Sequence, residues 1–239
     1  MKVLLHTATA VLATVSLSAC GSGRTADSNA QSDVAANEAG ASTAVERNPF
    51  VDAEKQMSGA MMAAVGSNAG QNWALKMIAH HQGAIEMSKI VLEHNPTADV
   101  AKMAREDIDK QTTDIASIRK LLQDGAPDRK SAALYRDAMS AMEHAMMAAG
   151  GADVSETYLR KMLAHHQGAV AMSDVALQAG VSGAMQAQVE KTKTENRNDA
   201  AMVEAMLSGK PMNMSDKNMS GNMSGMDMKG MDMNAMNHM

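Results

Sequence analysis

Two nearly identical blocks of the sequence carry the side chains best suited to chemistry. Residues 76–88 read KMIAHHQGAIEMS and residues 161–173 read KMLAHHQGAVAMS, so each block sets two adjacent histidines between methionines. Imidazole nitrogen and thioether sulfur together favour Cu(I), and imidazole also binds Cu(II). The side chains concerned are Met77, His80, His81, Met87, Met162, His165, His166 and Met172.

Helical geometry sets these groups side by side. At 100° per residue, Met77, His80 and Met87 fall within one stripe of a helix, with His81 on its shoulder. Methionine at helical spacing is also a common core filler, and histidine on an apolar face is often a hydrogen-bonded core residue. Because the histidine pair and its methionines recur at the same relative positions, we favour metal binding over core packing alone.

A second methionine cluster precedes each block. Its members form i, i+4 pairs with an adjoining methionine, and a turn at 66–72 would fold the first cluster back against the histidines. These clusters are further candidate ligands. They consist of Met57, Met61 and Met62, repeated as Met142, Met146 and Met147.

The last 28 residues, 212–239, contain ten methionines scattered among small and polar residues. They show no helical period, so core packing does not explain them, and we expect this tail to be disordered until metal arrives. Met-x-Met and Met-x-x-Met spacings allow a flexible chain to wrap several thioethers around one soft ion. A sacrificial oxidant sink and a drifting low-complexity tail are the alternatives. The candidate ligands here are Met212, Met214, Met226, Met228, Met231, Met233 and His238.

An internal duplication organises the elements that must position these groups. Residues 57–122 align with 142–207 at a constant offset of 85, and 18 of 36 positions are identical between 57–92 and 142–177. With only four aromatic residues and 26 methionines, the composition favours an all-α chain. Capping residues, glycines and prolines predict helices at about 49–66, 71–94, 97–124, 128–149, 154–179 and 182–208. Short connections predict a four-helix bundle of two hairpins, with two extra Met-rich helices.

The N-terminal residues predict export and a lipid anchor. Lys2 and the apolar run Val3–Leu17 are typical of a secretory signal, and the sequence Leu-Ser-Ala-Cys ending at Cys20 resembles the bacterial lipobox. Cys20 is the only cysteine in the chain. We therefore expect 1–19 to be a signal peptide and 20–47 to be a lipidated, flexible tether. The duplicated domain would then span 48–210 and the tail 211–239, in a periplasm-facing location, at the outer membrane where the host has one.

Several classes of protein are disfavoured. One cysteine excludes disulfide scaffolds and Cys-rich metal sites. A net charge of −5 does not indicate a basic surface that would bind nucleic acid. A ferritin-type di-iron centre needs Glu-x-x-His motifs, but no glutamate stands three residues before either histidine pair. Neither block has the His-Glu-x-x-His spacing of a catalytic zinc site.

The repeated Met-(Ile/Leu)-Ala-His-His-Gln-Gly-Ala block, followed by Met-Ser, resembles the signature of domain-of-unknown-function family 305 (DUF305) over about 57–207. The resemblance implies a ferritin-like helical bundle in the bacterial envelope. Some members, such as the CopM-like proteins, bind copper and silver and support copper resistance. It also implies that the block residues and the preceding methionine clusters are the metal ligands.

The sequence thus predicts a lipid-anchored protein that binds Cu(I), and also Ag(I), for sequestration, transfer or resistance, without catalytic turnover. A copper efflux system or chaperone is the expected protein partner. One alternative is a helical scaffold or interaction module whose methionines fill the core. A less favoured alternative is a ferritin-like metal oxidase.

Overall fold

A computed structural model describes residues 48–209 and shows that this part of the chain is an all-α bundle. The predicted signal peptide, the tether with Cys20 and the Met-rich tail with His238 lie outside the described residues. The helices are α1 (Val51–Ala63), α2 (Ala69–Glu93), α3 (Ala98–Arg119), α4 (Arg129–Ala132), α5 (Arg136–Ala148), α6 (Val154–Gln178) and α7 (Gly183–Leu207). A single 3₁₀ turn, Ala133–Tyr135, joins α4 to α5.

Four long helices form the centre of the bundle, and the two short Met-rich helices lie on one side of it. The α2–α3 and α6–α7 hairpins pack together through α2 and α6. Helix α1 packs on α2, α5 packs on α6, and α1 also contacts α5. The predicted all-α bundle is confirmed. Within 48–209, no helix is long and apolar enough to cross a membrane.

The turn between α1 and α2 is fixed by buried polar side chains. Asn68 caps α2 by accepting a hydrogen bond from the Gln71 amide at 3.0 Å, so the helix begins two residues earlier than predicted. The Gly66 amide donates to Asn72 Oδ1 at 2.7 Å. This contact replaces helical hydrogen bonding, and α1 therefore ends at Ala63 instead of continuing to 66.

Tertiary contacts also shorten α3 and interrupt the fourth predicted helix. Gln71 donates from Nε2 to the Leu121 carbonyl and accepts from the Gln123 amide, both at 3.0 Å, so the chain leaves the helix before 124. The 3₁₀ turn divides the segment predicted as one helix over 128–149. It accompanies full burial of Tyr135, whose hydroxyl donates to the Ala69 carbonyl at 2.8 Å.

Two glycines let the short helices approach the long ones closely. A Cβ atom added at Gly83 of α2 would lie 2.4 Å from the Met57 sulfur, and one at Gly168 of α6 would lie 2.3 Å from the Met142 sulfur. Only glycine leaves room for a thioether at these points. Met57 therefore packs against α2 and Met142 against α6, the two helices that carry the histidines.

Candidate metal centre

His80 and His165 meet face to face at the contact between α2 and α6. Their rings are stacked with centroids 3.5 Å apart and an interplanar angle of 22°. His80 Nε2 lies 3.1 Å from the His165 carbonyl oxygen, and His165 Nε2 lies 3.1 Å from the His80 carbonyl oxygen. A carbonyl only accepts, so each Nε2 carries a proton and each Nδ1 presents a lone pair. Neither Nδ1 has a hydrogen-bond partner among the described residues.

His166 adjoins this pair and is held by a side chain of α7. Its Nδ1 lies 3.0 Å from Asn196 Oδ1, while Asn196 Nδ2 donates to the Thr192 carbonyl at 2.9 Å. The second bond fixes the orientation of the amide, so Oδ1 accepts and His166 Nδ1 donates. His166 Nε2 therefore presents a lone pair, and no partner for it is found in residues 48–209.

His81 is the equivalent of His166 in the first repeat, and Gln111 on α3 is the equivalent of Asn196. The hydrogen bond seen in the second repeat is missing here. Both nitrogens of His81 and Oε1 of Gln111 are buried without a hydrogen-bond partner in the described part of the chain. Buried polar atoms are rarely left unpaired in native proteins, so a cluster of them calls for a ligand or another physical explanation.

Burial keeps the four imidazoles neutral. All four histidines are fully buried. Desolvation, followed by the proximity of the other histidines, holds the pKa values of His80, His81 and His165 well below the ordinary value of 6.5. Desolvation also lowers the pKa of His166, although Asp199 and the Asn196 hydrogen bond oppose that effect. Neutral imidazole is the form that binds a metal ion.

The imidazoles do not form a closed cage as they stand. Across 48–209, no three histidine, cysteine, aspartate or glutamate side chains meet in a group that could hold one ion. Any ion held here would need thioether ligands as well, or a small adjustment of the rings. The bundle interior contains such thioethers, because Met77, Met87, Met162 and Met172 are buried in the same two helices.

The remaining candidate methionines of the described chain differ in their exposure to solvent. Met57, Met61, Met142 and Met146 are buried in the core, where they also fill space between Ala-rich helices. By contrast, 55% of Met62 and 67% of Met147 are exposed. One face of each short helix thus packs on the bundle, and the adjoining methionine points to solvent.

The lysine at the first position of each signature block has a structural role that the sequence did not predict. Lys76 is buried and donates to the carbonyls of Met61 at 2.8 Å and Ala64 at 2.9 Å, which caps the C-terminus of α1. Lys161 donates to the Met146 carbonyl at 2.7 Å and forms a buried ion pair with Glu54 at 2.5 Å. The recurrence of lysine at the offset of 85 was the available signal.

A buried polar chain that the sequence reasoning also missed links α2, α3 and α6. The Tyr158 hydroxyl donates to Asp107 Oδ2 at 3.0 Å and lies 2.7 Å from Ser88 Oγ. At the equivalent place in the other half, Trp73 Nε1 donates to Ser173 Oγ at 3.3 Å. Desolvation, with the nearby Asp199 charge, raises the pKa of Asp107 to about 7.

Ion pairs connect the two outer long helices across this centre. Lys110 of α3 pairs with Asp199 of α7, and Lys191 of α7 pairs with Asp114 of α3 at 3.0 Å. Both aspartates are largely buried. These ion pairs connect α3 to α7 near the histidines, because the charges of Lys110 and Lys191 act on His81 and the charge of Asp199 acts on His166.

Comparison with known families supports the resemblance noted in the sequence. The model of the domain of unknown function DUF305 matches residues 23–122 and 70–207. The chain belongs to the DUF305 family. No curated protein and no solved structure matches the chain. Family membership thus identifies the domain without assigning it an activity.

Proposed function

We propose that this DUF305 protein is an envelope-facing lipoprotein that binds Cu(I), and also Ag(I), as cargo for sequestration, transfer or resistance, without catalytic turnover. One observation carries the proposal. At the centre of the bundle, the lone pairs of His80 Nδ1, His165 Nδ1 and His166 Nε2 are buried and have no hydrogen-bond partner within 48–209. Soft metal ions bound at this centre would satisfy them.

The donor set selects the class of metal. Thioethers are soft ligands and neutral imidazole is a borderline one, so together they suit Cu(I) and Ag(I) better than Mg²⁺ or Ca²⁺. Thioethers have no proton to lose, so acid weakens their binding little. The part of the chain described by the structure has no grouping of three histidines or carboxylates for a harder ion. Copper bound partly by thioethers is consistent with that finding.

The alternative is a helical scaffold whose methionines serve only as core. The near-complete burial of Met57, Met61, Met142 and Met146 favours this second candidate, because methionine adapts well to irregular gaps. A scaffold role does not explain the unpartnered imidazole nitrogens or the Met-rich tail. Metal titration distinguishes the two candidates directly.

The test is competition between the purified chain and a Cu(I) chelator under reducing conditions. We expect deletion of 212–239 to lower the copper bound per chain. We expect replacement of both His80 and His165 by leucine to remove copper from the bundle. His144→Gln is the matched control, because His144 is an exposed residue of α5. Binding no tighter than that of a Met-poor helical control protein would overturn the copper proposal in favour of the scaffold.

The anchor is tested separately from the metal. Replacement of Cys20 by serine removes the only thiol in the chain. We expect the unmodified chain to gain the mass of acyl groups and to sediment with membranes, and we expect the variant to do neither. Equal membrane association of the two proteins would contradict lipid anchoring without bearing on copper.

A further inference from the structure

The two halves of the histidine cluster differ in one hydrogen bond. His80 and His165 are equivalent, since each Nε2 lies 3.1 Å from the other's carbonyl oxygen. The difference lies in their neighbours. His166 is bonded to Asn196, whereas His81 has no hydrogen-bond partner in the described chain.

The side chain at the amide position explains this difference. Asn196 is 3% exposed, and its amide is anchored at both ends, on Thr192 and on His166. Gln111 occupies the equivalent position and is 2% exposed, but glutamine is one methylene longer. Its Oε1 is left without a partner among residues 48–209, instead of accepting a bond from His81.

A histidine whose tautomer is fixed before binding has a higher affinity for a metal ion than one whose tautomer is free. A ligating histidine almost always donates its second ring N–H to a carbonyl, a carboxylate or water, which sets the tautomer and the ring orientation. Asn196 supplies this partner to His166 before any metal arrives. His81 has no such partner in the described chain, so its tautomer is selected only when it binds, and that ordering reduces its net affinity.

We propose that Asn196 is a positioning residue that makes the His165–His166 half of the centre the first and tighter site for a soft monovalent cation. The His80–His81 half fills second. This inference rests on the proposed function, because it concerns the order of loading at the same centre. It assigns a role to a residue outside both signature blocks, 30 positions from the histidine it holds.

The experiment uses the full-length chain with ¹⁵N-labelled histidine and Ag(I), a diamagnetic probe. In the metal-free protein, we expect His166 to show a protonated Nδ1 and an unprotonated Nε2. With the first equivalents of Ag(I) that reach the bundle, we expect the ring signals of His165 and His166 to shift before those of His80 and His81. Simultaneous shifts of both pairs, or earlier shifts of His80 and His81, would overturn the proposal.

Two substitutions isolate the contribution of Asn196. Asn196→Ala removes the acceptor, and we expect the fixed His166 tautomer to be lost and the affinity of the first bundle site to fall by about 10–100-fold. Asn196→Asp keeps an acceptor for His166 Nδ1 but loses the donor to the Thr192 carbonyl, so we expect it to restore the tautomer and only part of the affinity. Because the aspartate variant retains the hydrogen bond, it keeps the test decisive if the alanine variant unfolds.

Gln111→Ala is the matched control, since it removes the equivalent amide from the first repeat. We expect it to leave the affinity of the first site unchanged. An equal loss in Gln111→Ala and Asn196→Ala would contradict the positioning role. If the His166 tautomer is fixed as described but no imidazole signal responds to Ag(I), the proposed function itself has failed. If the imidazoles respond but without order, only this inference has failed.

Discussion

Acidification from pH 7 to pH 5 is expected to destabilise the metal-free bundle strongly. Folding buries His80, His81 and His165 as neutral rings with pKa values well below 6.5, whereas in the unfolded chain they titrate near 6.5. Below pH 6.5 the unfolded state therefore binds more protons than the folded state. Stability falls as the pH falls through this range.

The size of the effect follows from the proton balance. At pH 5 the solution lies about 1.5 pH units below the pKa of an unfolded histidine, so each ring that stays neutral in the folded state lowers the free energy of unfolding by up to about 2 kcal/mol. Three such residues give a loss of up to about 6 kcal/mol. Asp107 acts in the opposite direction, because its pKa of about 7 in the folded state lets it bind a proton as the pH falls. That uptake offsets about 2 kcal/mol, which leaves a net loss of up to about 4 kcal/mol.

Urea denaturation at a series of pH values measures this loss. Trp73, the only tryptophan, is fully buried and reports unfolding by fluorescence. Asp107→Asn provides an internal check, because it removes the group that takes up the compensating proton and is expected to increase the loss by about 2 kcal/mol. A free energy of unfolding that is equal at pH 7 and pH 5, or larger at pH 5, would refute the assignment of buried neutral histidines.

Two further predictions concern packing and charge. Gly83→Ala is expected to destabilise the bundle by about 1–3 kcal/mol, because the added Cβ would lie within 2.7 Å of the Met57 Cβ as well as its sulfur. Gly59→Ala in α1 meets nothing within 4 Å, so we expect no loss and a gain of up to about 1 kcal/mol; equal effects in thermal denaturation would contradict the packing argument. Lys161→Met leaves Glu54 buried without its cation, and we expect a loss of about 3–5 kcal/mol. The double change of Glu54 and Lys161 to methionine is expected to recover much of that loss, and a double variant as unstable as the single one would show that the ion pair is not responsible.

Local sequence rules were sufficient to predict the helices and the positions of the histidines along them. Helix-forming composition, capping residues and the offset of 85 predicted the helices, and their boundaries were confirmed to within a few residues in most cases. The errors occur where distant residues intervene. Gln71 holds the chain beyond Arg119 out of helical geometry, and no local pattern around that segment reveals a partner about 50 positions earlier.

The sequence by itself determined that two histidine pairs lie in mid-helix among methionines, because a helix repeats its faces with a known period. Only the tertiary structure decided which groups reach the centre. Adjacent helical residues diverge by about 100°, so Met61 is 1% exposed and Met62 is 55% exposed. The tertiary structure also decided which nitrogen carries the proton in the rings of His80, His165 and His166. Those protons are fixed by hydrogen bonds to residues 30 and 85 positions away, and such bonds exist only once the helices have packed.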